Sequence, residues 1–130
     1  MPDHVELASN YHAAWAARDP DAILALHTAD SVFEMHGLGE AAVGADEIRS
    51  LVVALFENAP DITFATKTVY LGADHIVTEY VVSGTVSGTA FAWDAVDVLR
   101  VHDELVARKD SYFDADDQQA EFRRRLTQLR

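Results

Sequence analysis

Asp97 lies between Val96 and Val98 in the run WDAVDVLRV, where every uncharged neighbour suits a buried strand. Strand alternation puts Trp93, Ala95, Asp97, Leu99 and Val101 on one face and Asp94, Val96, Val98 and Arg100 on the other. If the first face lines an interior, desolvation favours the neutral carboxylic acid, which can donate a hydrogen bond to a ligand oxygen. If that face is outside, or if Asp97 simply pairs with Tyr11 or Lys109, its role is structural. Tyr11 stands one helical turn before Trp15, so its ring belongs to a core and its hydroxyl needs a partner. Asp97 is the natural one, directly or through a bound oxygen.

A proton acceptor is harder to find. His36 changes charge near neutrality and is the candidate base. It shares a strand face with Glu34, while Phe33 and Met35 share the other. A bend at the glycines that follow (Gly37, Gly39, Gly44) would be needed to turn it toward Met35's side. Lys109 and Ser111 share a face with Phe113 near the C-terminal end; Glu79 shares one with Val77 and Val81 and faces either pocket or solvent.

Other chemistries lack their residues. Cysteine is absent, which removes thiolate zinc sites, disulfides and cysteine nucleophiles. The six histidines have no His-x-His or His-x-x-x-His spacing, so no metal site is expected. No Gly-x-Gly-x-x-Gly or P-loop pattern occurs, and GTVSG reads as a hairpin turn, so no cofactor is expected.

These residues must be held by elements that the pattern predicts. Val5–Arg18 has helical spacing, and a second helix starts with Asp19 as N-cap and Pro20 at its first position. A short strand, DSVFEMHG, precedes a third helix over Asp46–Asn58, which Pro60 stops. Four β-rich runs follow, ITFATKTVYLG, HIVTEYVVSG, TAFAWDAVDVLRV and ELVARKDSYFD, separated by turn signals. They read as an antiparallel meander. A terminal helix is expected from Asp114 to the end, acidic in its first turn and arginine-rich in its last. The 130 residues read as a single α+β domain: a curved antiparallel sheet wrapped around the N-terminal helices, a cone-shaped barrel with a central pocket.

The formal net charge of −12 disfavours nucleic acid and anionic membrane surfaces as partners. The apolar runs are too short to span a bilayer, and no signal-peptide core opens the chain. A cytoplasmic location is the expectation.

The stretches NYHAAWAARDPDAILALHTADSVFE, GADEIRSLV and VDVLRVHDELVARKDSYFD make the chain similar to the nuclear transport factor 2-like superfamily. It most resembles the SnoaL-like polyketide cyclase and ketosteroid isomerase branches. That resemblance implies that Tyr11 and Asp97 form an oxyanion hole, Asp97 being protonated as in the isomerase. It puts His27 where the isomerase has a second pocket tyrosine, able to bond Tyr11. The isomerase's proton-moving aspartate position is occupied here by Met35, which accepts no proton. The implied pocket is mostly apolar, with Trp15, Phe33, Met35, Val52, Phe56, Trp93, Leu99 and Phe113 as walls and Ser111 among the binding residues. The implied ligand is a small hydrophobic carbonyl or phenolic molecule, and the reaction a cofactor-independent isomerisation, cyclisation or dehydration through an enolate. A homodimer through the sheet's outer face, around Val96 and Val98, is also implied. Two alternatives remain open: a limonene epoxide hydrolase-like enzyme, which needs Asp110 or Glu79 inside the pocket, and a non-catalytic ligand-binding or dimerisation module.

Overall fold

The computed structural model describes residues 4–115. The chain runs α1 (Val5–Ala16), α2 (Pro20–Ala25), β1 (His27–Met35), β2 (Ala42–Val43), α3 (Gly44–Asn58), β3 (Thr63–Leu71), β4 (His75–Val86), β5 (Thr89–His102) and β6 (Leu105–Asp114). The expected punctuation starts α2: the Asp19 carboxylate accepts from the backbone N–H of Ala22 at 3.2 Å, and Pro20 follows at the first turn. Apart from Asp114, which ends β6, and Ala115, the expected terminal helix lies outside the described residues. Among the described residues, no helix is long and apolar enough to cross a membrane.

The six strands form one curved sheet in the order β2-β1-β6-β5-β4-β3. β3 to β6 make the expected antiparallel meander. The sheet is mixed, however, because β1 lies parallel to β6, and the curved sheet does not close into a barrel. More than half of the described chain separates β1 from β6, so no tight turn constrains their relative direction.

The β4–β5 register is set locally. Ser87 and Gly88 both have positive φ (53° and 79°), the backbone of a two-residue hairpin turn whose twist matches its strands. Counting outward from that turn pairs Thr78 with Asp97 and Tyr80 with Ala95. On the concave face, Ile76, Tyr80 and Val82 of β4 and Phe91, Trp93 and Leu99 of β5 are buried. Leu7, Tyr11 and Trp15 of α1 and Ile48, Leu51 and Leu55 of α3 cover them.

Candidate functional site

Sheet register brings the polar residues together. One row across the concave face reads Thr78, Asp97, Ser111, Met35; the next reads Ile76, Leu99, Lys109, Phe33. Asp97 and Lys109 are thus diagonal neighbours on adjacent strands, in a wall that is otherwise apolar.

Asp97 is surrounded by donors. Its Oδ1 accepts from the Tyr80 hydroxyl at 2.7 Å and from Ser111 Oγ at 2.6 Å, and its Oδ2 lies 3.5 Å from Lys109 Nζ. Two hydroxyl groups thus lie against one oxygen and the Lys109 amine against the other, so the partners of Asp97 are Tyr80, Ser111 and Lys109 rather than Tyr11. Burial pushes the Tyr80 hydroxyl well above its ordinary pKa, and the Asp97 charge adds to the shift, so Tyr80 stays a donor.

Lys109 is 4% exposed. Its Nζ sits 3.8 Å from the ring centre of Trp15, 4.7 Å from that of Phe33 and 5.2 Å from that of Tyr11, an aromatic cage around the cation. Burial lowers its pKa, and the neighbouring Asp97 only partly offsets this. Tyr80→Phe removes one donor from the carboxylate that balances this cation. It is expected to cost about 1.5–3 kcal/mol in urea unfolding, and an unchanged midpoint would show the bond to be idle.

Tyr11 does not reach Asp97. Its hydroxyl is 2.8 Å from His27 Nε2, His27 Nδ1 is 2.8 Å from Ser31 Oγ, and Ser31 Oγ donates to the Val106 carbonyl at 3.1 Å. Because the Ser31 hydrogen goes to the carbonyl, Ser31 accepts from Nδ1–H, which leaves Nε2 to accept from Tyr11. Burial, helped by the Lys109 charge, lowers the His27 pKa to about 3, consistent with a neutral ring in this chain. The link between Tyr11 and His27 is present; its expected continuation to Asp97 is replaced by Tyr80 and Ser111.

Two cavities flank this cluster. One, about 60 Å³, opens between α1 and strands β3 and β4 and is lined by Tyr11, His12, Trp15, Phe64, Thr66, Thr78, Tyr80, Asp97 and Lys109, among others. The other, about 30 Å³, lies deeper in the cone, against Phe33, Met35, Trp93, Ser111 and Phe113. Trp15, Phe64, Tyr80 and Lys109 belong to both and form the partition between them. Of the expected walls, Val52, Phe56 and Leu99 line neither cavity: Val52 and Leu99 are core, and Phe56 packs behind Trp15 with ring centres 5.6 Å apart. His27 also stands behind the wall, bonded to Tyr11.

Among the lining residues that escaped the sequence reading are Tyr80, His12 and Phe64. Tyr80 shares concave parity with Thr78 on β4, which counting back from the Ser87–Gly88 turn would have shown. His12 contacts Thr78 Oγ1 through Nε2 at 3.1 Å, and burial lowers its pKa, with Lys109 as the next cause. Phe64 faces Trp15 at 5.7 Å.

His36, the expected base, is on the wrong side of the sheet, and no bend re-aims it. It stacks on Tyr112 with ring centres 4.2 Å apart and bonds Asp110 Oδ1 through Nε2 at 2.8 Å. The ligand atoms of Glu34, His36 and Asp110 lie within 4.8 Å of one another. Arg108 supplies the cation there: Nη2 bonds Glu34 at 3.1 Å and Asp110 at 2.9 Å, and Nε bonds the other Asp110 oxygen at 2.9 Å. Partial burial works against ionisation of Asp110, but Arg108 and His36 hold it below the usual carboxylate range. Glu79 accepts from the exposed Tyr70 hydroxyl at 3.0 Å. Neither Asp110 nor Glu79, the carboxylates on which the epoxide-opening alternative was based, lines either cavity; Glu79 borders a separate one with Lys67, Asp94 and Tyr112.

Residues 8–109 match the model of the SnoaL-like domain. Solved structures share the fold at low identity. A protein with a ketosteroid isomerase-like fold from Catenulispora acidiphila, in complex with trimethylamine, is 24% identical over 83% of this chain and 85% of that one, with a TM-score of 0.76. An NTF2-like protein from Burkholderia pseudomallei is 19% identical over 98% and 99%, with a TM-score of 0.80. TerC, co-crystallised with polyporic acid, is 19% identical over 97% and 99%, with a TM-score of 0.77. A search of the curated proteins finds no match.

Proposed function

Since the chain belongs to the SnoaL-like domain family, we propose that it binds a small hydrophobic carbonyl or phenolic molecule in the cone and moves a proton on it without a cofactor. The observation that carries this reading is a carboxylate, Asp97, fixed by Tyr80 and Ser111 and facing an ammonium, Lys109, between aromatic walls. Enolisation needs a base for the α-hydrogen and a positive group for the oxygen that gains charge. Asp97 is the base in this proposal, since His36 lies outside and Met35 cannot serve. Lys109 holds the oxygen. Tyr11, whose hydrogen is committed to His27, acts as a wall. The small cavity volumes favour a ligand of one or two rings, with the shared partition of Trp15, Phe64, Tyr80 and Lys109 yielding to a larger one. The ligands of TerC and of the Catenulispora protein support a cone that accepts small molecules.

The test is exchange of α-hydrogens of 2-cyclohexenone for deuterium in heavy water, followed by NMR. The protein is expected to accelerate exchange, and Asp97→Asn to reduce that acceleration by about 10²–10⁴-fold. Equal rates in the two proteins would remove Asp97 from the role of base. Calorimetric binding of 2-naphthol tests the pocket independently of turnover.

A homodimer through the outer face belongs to the same reading, supported by half-buried Val96 and Val98 and by Tyr112, 47% exposed. Sedimentation equilibrium is expected to return twice the chain mass; a monomer would remove the dimer from the proposal.

A further inference from the structure

We propose that Lys109 is a nucleophile, a buried amine that condenses with the carbonyl carbon of the bound ligand to form a Schiff base. The inference deepens the reading of the pocket as a carbonyl site and rests on it. Three features of the structure single this lysine out. Its side chain lines both cavities and so borders a molecule in either one. Its walls are the rings of Trp15, Phe33 and Tyr11, a desolvated setting of the kind that makes a lysine amine reactive. One carboxylate, Asp97, stands 3.5 Å away, close enough to take and return a proton. Lys67, by contrast, is on the surface and held by Asp94 at 2.7 Å. Burial also lowers the Lys109 pKa, which brings the free amine within reach.

The step balances through Asp97. The Lys109 ammonium passes a proton to the carboxylate, and the nitrogen lone pair forms a bond to the carbonyl carbon. The C=O π pair moves to oxygen, which takes the proton back from Asp97. The nitrogen then loses a second proton to Asp97, which delivers it to the departing hydroxyl. Water leaves, a C=N bond forms, and the nitrogen keeps one hydrogen and the positive charge. Ammonium plus carbonyl has become iminium plus water, with no change of oxidation state and with Asp97 again a carboxylate. The iminium is a stronger electron sink than a hydrogen-bonded carbonyl, and Asp97 is placed to take the neighbouring C–H proton.

The composition of the chain makes the test clean, because Lys67 and Lys109 are its two lysines. Acetylacetone, a 1,3-diketone, condenses with an unprotonated lysine to a vinylogous amide that absorbs in the near ultraviolet and adds the mass of the diketone less one water. Wild type and Lys67→Met are expected to form this adduct at neutral pH, and Lys109→Met to lose it, with a rate at Lys109 at least about tenfold above that at Lys67. Adduct formation by Lys67→Met, mapped to the Lys109 peptide and not to the α-amine, carries the assignment even if Lys109→Met folds poorly. Absence of the adduct in wild type, or its loss in Lys67→Met, overturns the proposal. Binding of 2-naphthol, which has no carbonyl carbon to attack, separates the two failures. Naphthol bound without an adduct leaves the pocket reading standing and reduces Lys109 to a polar anchor; neither one overturns both.

Discussion

Asp97→Ala is expected to lower the stability of the fold by about 3–5 kcal/mol, the cost of leaving a buried charge without its partner. Both side chains are largely out of water, with 6% of Lys109 and 13% of Asp97 exposed. Tyr80 and Ser111 lose their acceptor in the same stroke. The aromatic cage compensates only in part, since cation–π contacts to three rings do not replace a carboxylate. The double variant Asp97→Ala/Lys109→Met removes both charges and puts a flexible apolar side chain between Trp15 and Phe33. It is expected to recover most of the loss, because a buried ion pair replaced as a pair by apolar groups is often close to neutral. Urea unfolding of the wild type, both single variants and the double variant gives the coupling directly. Additive losses would mean that the pair is solvated and that its neighbours carry the site.

Acid is expected to destabilise the protein through His27, starting below pH 6.5. In the unfolded chain this histidine takes its proton near 6.5; in the fold its pKa is lowered to about 3, first by burial and then by the Lys109 charge. Between those values the unfolded state carries the additional proton, so a fall in pH favours unfolding. His27's contribution is complete above pH 6.5 and diminishes by about 1.4 kcal/mol for each pH unit below it. Protonation also breaks a specific bond, since a charged ring has no lone pair on Nε2 for the Tyr11 hydrogen. His27→Gln cannot titrate, so its stability is expected to fall less steeply with acid, by about one proton's worth of slope. Urea midpoints across pH 4–7 measure the difference between the two slopes. His12, whose pKa burial also lowers, is present in both proteins and cancels. Parallel slopes would mean that His27 is not buried as a neutral ring.

What could be read from the sequence depended on how local the governing interaction was. Alternation on one strand put Asp97 on the same face as Trp93 and Leu99, and it set Phe33 and Met35 apart from Glu34 and His36. Such parity is set by the backbone alone. It gives a face but not a depth, which is why Leu99 was taken for pocket wall: it and Ile76 are core, while Lys109 and Phe33 in the same row line a cavity. Partners were harder. Tyr11 and Asp97 looked like a pair because both were polar groups in apolar surroundings. The hydroxyl that reaches Asp97 is Tyr80, brought there by the register that Ser87 and Gly88 impose. That register was within reach of counting. The parallel pairing of β1 with β6 was not, since no turn connects the two strands, and with it went the position of Lys109 beside Phe33.

That same pairing has a consequence for how the molecule comes into being. Phe33 and Met35 leave a ribosome well before Lys109 and Ser111, their partners in register. During synthesis the first strand has helices to pack against, while its neighbour in the sheet is still unmade. Closing so long a loop is entropically costly, and contacts of that span slow the search for the native state. Lys109 and Asp97 lie on neighbouring strands of one hairpin and meet locally, but the Phe33 wall of the cage is added only when β1 pairs with β6. A half-folded chain has the charged pair without its finished cage, so the chemistry proposed for the cone is switched on by the completion of the fold itself.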